Sequence, residues 1–349
     1  MTSTVHVVLP GDVDDPATPS GGNYYDRRLC DGLRAHRPVR EHPVRGAWPQ
    51  PAPADRGRLA DVLAALPDQA TAVVDGLIAS AVPDLLQPHS VRLRLITLMH
   101  MPLGTPAEGQ ALRACAAVVT TSEWARTLLS RLYADSSDRI HVAAPGADAA
   151  PIATGTAAGS RLLTVAAVTP IKGHDILVDA LATLADRQWT LDCAGSLDRD
   201  PAYARSLQDR VRAAGLADRI RWHGARTREE IARGYGDADL LVHPTRTETF
   251  GMVVTEALAR GIPVVASDVG GVPEALGATS DGGVPGLLVP PDDPAALAAA
   301  LRAWLDDEGL RARLRQAAVS RRPELPGWDV TAARFAEILT LAEASRAHR

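Results

Sequence analysis

The chain has 349 residues, enough for two domains of about 150–200 residues each. Hydrophobic residues make up 46% and charged residues 23%, which excludes a largely disordered chain. The net charge of −5 excludes a global basic field that would draw the protein onto nucleic acid or anionic lipid. In chain order, β-branched runs at 4–9, 38–44, 71–76, 93–100, 116–121 and 139–144 predict six strands in the first half. Helical stretches at 22–35, 56–66, 106–115 and 123–133 fall between them. A segment of small residues, 146–160, reads as an interdomain linker. Strands then recur at 161–168, 190–194, 219–223, 239–243, 263–267 and 286–290, with helices near 174–186, 202–214, 228–235 and 251–260. The end is helical, at 293–306, 308–319 and 328–346. This repeated strand–helix order predicts an α/β protein with two doubly wound parallel sheets. The domains are expected at 1–150 and 160–325, with a C-terminal helix at 326–349 returning to the first.

Cys30, Cys115 and Cys193 are too scattered for a C-x-x-C framework and read as buried hydrophobes in a reducing compartment. The chain opens without the charged and apolar regions of a signal peptide, and no run of about 18 apolar residues occurs. A cytoplasmic protein with no transmembrane segment is expected.

In open α/β sheets ligands bind beyond the carboxyl ends of the strands, so residues just after strands carry the most information. After the first strand, Pro19-Ser20-Gly21-Gly22-Asn23 opens a helix. Paired glycines there let backbone amides face a phosphate, although such pairs are also common in ordinary turns. Asn23, the one asparagine of the chain, is placed either to contact an acceptor or to cap the helix. His100 ends a strand before the loop Met101-Pro102-Leu103-Gly104, a position suited to chemistry as well as to packing.

Among 37 basic residues only Lys172 is lysine. It follows a strand and precedes Gly173 and a helix, so it suits a diphosphate clamp, a point charge on a flexible stem. The bland alternative is a solvated surface lysine. Next, Glu248-Thr249-Phe250-Gly251-Met252 leads from a strand into a helix that carries Glu256. A helix start favours an anion, and two carboxylates accept hydrogen bonds from sugar or ribose hydroxyls. An acidic first turn that merely stabilises the helix dipole is the competing reading.

The whole string from Glu248 to Glu274, with its E-x7-E spacing of Glu248 and Glu256, resembles the retaining GT-B glycosyltransferases of family 4. Patchier resemblance runs from residue 5 to about 306. It implies a GT-B architecture of two Rossmann-like domains facing across a cleft, an N-terminal one for the acceptor and a C-terminal one for the donor. It implies Glu248 beside the donor sugar and Glu256 on the nucleotide ribose. The backbone at Thr249, Phe250, Gly251 and Met252 would meet sugar and phosphate oxygens, with Lys172, Gly21 and Gly22 on the diphosphate. His100 would lie near the reacting end of the sugar. The family pattern Gly-Arg before the lysine is Ala166-Ala167 here, so the usual diphosphate arginine is missing, and Thr169, Arg226 or the Gly21-Gly22 loop is left to share its charge. The resemblance thus implies retaining, metal-independent transfer from a UDP- or GDP-linked sugar to a hydroxyl-bearing small molecule or glycan, with no cofactor. A sugar-nucleotide epimerase of the same architecture, or a weakened sugar-nucleotide binding protein, are the alternatives.

Overall fold

All twelve predicted strands form; the central ones are short apolar or β-branched runs that two covering layers of helices bury, while the edge strands such as Val39–Val44 are more polar. The computed structural model describes residues 3–15 and 20–344; Pro19 of the glycine loop and the tail beyond Ala344 of the last predicted helix lie outside them. The chain divides into two units, one of residues 3–15, 20–146 and 326–344, the other of residues 147–325.

The N-terminal unit holds β1 (Val5–Pro10), β2 (Val39–Val44), β3 (Thr71–Asp75), β4 (Arg94–Met99), β5 (Ala117–Thr120) and β6 (Ile140–Val142). Its helices are α1 (Gly21–Leu33), α2 (Pro53–Ala65), α3 (Gly76–Ala81), α4 (Pro83–Leu86), α5 (Pro106–Ala114) and α6 (Glu123–Leu132). The all-parallel sheet runs β2-β1-β3-β4-β5-β6. The chain therefore reverses direction across the sheet between β1 and β3, the place where such sheets open a crevice.

The C-terminal unit holds β7 (Arg161–Val165), β8 (Thr190–Ala194), β9 (Ile220–Gly224), β10 (Leu240–His243), β11 (Val264–Ser267) and β12 (Gly286–Val289). Its helices are α7 (His174–Ala182), α8 (Pro201–Ala213), α9 (Arg228–Asp237), α10 (Met252–Leu258), α11 (Val272–Leu276), α12 (Pro294–Asp306) and α13 (Glu308–Arg321). The order β12-β11-β10-β7-β8-β9 is the Rossmann arrangement, with its switch point between β7 and β10. Leu162 and Leu163 of β7 lie beside Leu240 and Leu241 of β10 in the fully buried centre.

The segment expected as a linker is fastened to this unit from residue 147 onward. Buried Asp239 accepts bonds from Thr156 Oγ1 (2.6 Å) and Arg161 N (2.9 Å), and Trp304 Nε1 donates to Gly159 O (2.7 Å). A buried carboxylate needs such donors, and the small residues leave their backbone free to supply them. The last helix, α14 (Trp328–Ala344), packs on α1 within the N-terminal unit. Trp328 meets Tyr24 and Tyr25 edge-on, with ring centroids 5.6 and 5.5 Å away. Near its far end Glu343 accepts bonds from Arg37 (2.8 Å) and Thr71 (3.0 Å).

Candidate functional site

In the C-terminal unit the loops after β7 and β10, one on each side of the switch point, are tied together. Arg246 N donates to Ile171 O (2.8 Å), and the buried Thr245 hydroxyl reaches the same oxygen at 3.2 Å. The Arg246 guanidinium grips both oxygens of Asp175 (2.9 and 2.7 Å) and also Asp292 (2.6 Å). Gly173, between Lys172 and α7, has φ +68, and a Cβ there would stand 1.9 Å from Pro244 O. Only glycine allows this approach. Gly270 does the same on the other side: its φ is +58 and a Cβ would meet Glu248 O at 1.7 Å.

This stapling brings Lys172 onto Glu248, with Nζ 2.8 Å from Oε2. His243, the last residue of β10 and almost wholly buried, sets Nε2 3.3 Å from the same oxygen. That contact is an electrostatic one, since the imidazole nitrogen lacks hydrogen-bond geometry to any described partner. Burial pushes the Glu248 carboxyl up, but Lys172 and His243 outweigh it and hold the group far below the usual carboxylate range. Oε2 takes both the Lys172 and the His243 contacts, while Oε1 has no hydrogen bond among the described residues. The ammonium carries three donors and spends one on Glu248. A carboxylate oxygen and two N–H bonds thus remain for a polar ligand.

Gly251 (φ +97) precedes α10, no side chain caps this helix, and Phe250 and Thr249 are buried beneath the loop. Glu256 lies within α10 and is held by the Tyr235 hydroxyl (3.0 Å) and Arg228 (3.4 Å). Burial raises its carboxyl above the ordinary value, against the opposing pull of Arg228. Arg226 is engaged elsewhere: it pairs with Glu230 at 3.0 Å and makes no polar bond to Lys172 or Glu248 among the described residues. Ala167 is half-buried, and Arg246 is committed to its two aspartates. Next to Lys172, His174 is buried with both ring nitrogens unpartnered among the described residues. Burial and nearby His243 lower its titration to about 4.

In the N-terminal unit, Ser20 caps α1 by accepting from Asn23 N (3.0 Å). Asn23 is therefore not the cap; its Nδ2 donates to Asp12 O at 3.2 Å and ties α1 to the loop after β1. Gly22 lies against His100, where a Cβ would come within 3.2 Å of the ring. His100 Nε2 is 2.7 Å from Asp26 Oδ1 and 3.7 Å from Asp75 Oδ2. Asp26 comes from α1 and Asp75 from the end of β3, the two sides of this sheet's switch point and its neighbour. Asp75 also caps α3 through Leu77 N (2.8 Å). Burial and Asp26 push the Asp75 carboxyl up to about 7. Burial lowers the His100 value, but Asp26 and Asp75 more than reverse it and hold the imidazole above its ordinary value. The loop after His100 is anchored by buried Glu108, which accepts from Leu103 N (2.8 Å) and Gly104 N (3.3 Å).

The sequence reading missed Asp26, Asp75, His243 and Tyr235. His243 and Asp75 stood at strand ends, where ligands gather, but nothing in one chain marked which carboxylate or imidazole they would face. Asp26 and Tyr235 lie inside helices, and only packing turns them onto His100 and Glu256.

The two six-stranded parallel sheets have the GT-B fold. Sucrose-phosphate synthase of Thermosynechococcus elongatus superposes over 99% of this chain and all of its own, with a TM-score of 0.80 at 22% identity. HepE of Anabaena, whose structure contains UDP and glucose, covers 97% of this chain and all of its own, with a TM-score of 0.74 at 18% identity. Residues 159–321, which lie in the C-terminal unit, match the family described as glycosyl transferases group 1. A D-inositol 3-phosphate glycosyltransferase of Jonesia denitrificans is 35% identical over 245 residues, 64% of this chain and 57% of that relative. One of the same name from Xylanimonas cellulosilytica is 36% identical over 253 residues, 67% of this chain and 58% of the relative. The chain thus spans little more than half the length of these curated relatives. Among the described residues no helix is long and apolar enough to cross a membrane.

Proposed function

We propose that the protein is a retaining, metal-independent glycosyltransferase that moves a sugar from a nucleoside diphosphate sugar to a hydroxyl-bearing acceptor. The observation that carries this reading is the Lys172–Glu248 pair at the switch point of the unit that matches glycosyl transferases group 1. Lys172 supplies the charge for the diphosphate, and Glu248 Oε1 accepts from a sugar hydroxyl. Glu256 takes the ribose, while the backbone at 249–252 meets phosphate and sugar oxygens. His100 serves the reacting end of the sugar, and Gly21 and Gly22 offer backbone N–H groups to a phosphate. The bond from the anomeric carbon to the phosphate oxygen breaks as the acceptor oxygen attacks the same face. The departing phosphate takes the acceptor proton, so no enzymic nucleophile is required. Preorganised donors matter most where this leaving-group charge develops.

Incubation with UDP- and GDP-sugars and a panel of acceptors tests this reading. D-Inositol 3-phosphate comes first, because the curated relatives are named for it. Release of nucleoside diphosphate with an α-linked product from an α-linked donor is the expected result. An isomerised donor would point to an epimerase, and tight binding without turnover to a binding protein. The Glu256→Gln variant is expected to bind the nucleoside diphosphate about tenfold more weakly, since a charge-assisted bond to the ribose is replaced by a neutral one. Calorimetric titration measures it; affinity matching that of exposed Glu308→Gln would remove Glu256 from the site.

A further inference from the structure

We propose that Asp26 is a positioning residue for His100: its buried carboxylate holds the imidazole through Nε2 and leaves Nδ1 as the atom offered to the ligand. The inference rests on the reading that His100 serves the reacting sugar. A carboxylate at 2.7 Å accepts only, so it selects the Nε2–H form of the ring. The ring plane is set from a second direction by Tyr25, packed edge-on at 5.2 Å and itself fixed by a 2.8 Å bond to Ala143 O. Gly22 closes a third side. Nδ1 has no hydrogen bond among the described residues. The charged groups facing the ring are Asp26 from α1 and Asp75 from the end of β3, and both favour the imidazolium.

Asp26 Oδ2 is buried and unpartnered among the described residues. A buried carboxylate so short of donors needs a positive neighbour, and the His100 ring at 2.7 Å is the group placed to supply it. Asp26 and Asp75 both favour the imidazolium, and burial with Asp26 pushes the Asp75 carboxyl toward its protonated form, so the two effects together limit the charge buried in this cluster. The imidazolium can then donate Nδ1–H to a ligand oxygen. These three side chains bring one ligand atom each within 4.8 Å of one another, so a divalent cation is the competing occupant.

Nitrogen-15 imidazole NMR, with the His100 resonances assigned by their loss in His100→Gln, tests this directly. In the unaltered protein the neutral ring is expected to carry its proton on Nε2. In Asp26→Asn the His100 titration midpoint should fall by about one pH unit. Turnover should fall about 100-fold with donor KM within about threefold, and the alkaline side of the pH–rate profile should move down with the midpoint, because the protonated ring is the donor. A neutral ring protonated on Nδ1 in the unaltered protein overturns the proposal, whether or not the variant folds. So does an unshifted midpoint in Asp26→Asn, or a stoichiometric Zn2+ or Mn2+ that shifts the His100 signals and is lost in that variant. The NMR result does not depend on turnover. Absence of sugar transfer would therefore count against the proposed function while leaving the coupling of Asp26 to His100 to stand or fall by itself.

Discussion

Lys172→Ala is expected to lower kcat/KM for a nucleoside diphosphate sugar by about 100- to 1,000-fold, the usual cost of removing one preorganised donor from a developing oxyanion. The effect should lie at the upper end, because the neighbouring arginines cannot stand in. Arg246 is held by Asp175 and Asp292, Arg226 pairs with Glu230, and residue 167 is alanine. The variant also leaves Glu248 with the His243 imidazole, 3.3 Å away, as its remaining side-chain neighbour at that oxygen. Removing one partner of a half-buried ion pair is expected to cost about 2–3 kcal/mol of stability, less than for a fully buried pair because Lys172 is 22% exposed. The double variant Lys172→Met/Glu248→Gln separates the two effects, since it removes both charges together. Urea unfolding should show most of the stability restored, with turnover still lost. Turnover by Lys172→Ala at the unaltered rate would mean that Lys172 does not hold the diphosphate, whatever its effect on folding.

The second large effect concerns pH. His174 titrates near 4 in the folded protein, while the unfolded chain takes up the same proton near 6.5. Between these values the unfolded state binds a proton that the native state does not, so stability falls as pH drops from 6.5 to 4 and levels off below. The loss amounts to about 3 kcal/mol at about 1.4 kcal/mol per pH unit. His174→Phe is expected to flatten that slope and to stabilise the protein at pH 5, because it removes two unpartnered nitrogens from a buried site. The ring keeps a flat neighbour in Trp222, whose centroid is 6.4 Å away. Asp75, pushed up to about 7 by burial and Asp26, titrates in the same window with the opposite sign, but it does so in both proteins and cancels in their comparison. Asp175, raised by burial but pulled down to about 2 by Arg246, contributes stability that is present above its ordinary 3.8 and is lost only as pH falls toward 2. Urea midpoints at pH 7.5 and 5.0 for the two proteins decide the matter; equal slopes would show that His174 finds a partner in solution.

Short β-branched runs and period-3.6 patterns in the sequence were enough to place the strands and the long helices, because burial between two helical layers favours continuous apolar strands. The short helix α3 was not anticipated. It is six residues long and owes its start to the Asp75 cap, a signal too brief for periodicity to register. The helix expected from Phe250 or Gly251 starts at Met252, because Gly251 takes a left-handed conformation. The segment 146–160 carries linker composition, yet from residue 147 it is pinned to the second unit, since Asp239, far along the chain, requires donors.

Lys172, Glu248, Glu256 and His100 could all be named from their types and their places after strands or in a helix start. That Lys172 rests on Glu248 could not be read, because their separation of 76 residues closes only when β7 and β10 become neighbours in the sheet. Asp26 and His100 lie 74 residues apart and meet for the same kind of reason, once β1, β3 and β4 line up in the first sheet and bring the segments that follow them together. Local sequence determines which segments become strands or helices and which chemical groups stand at their ends. Charge state, tautomer and pairing depend on burial and on distances of a few ångströms between distant segments, and those arise only when the sheets assemble.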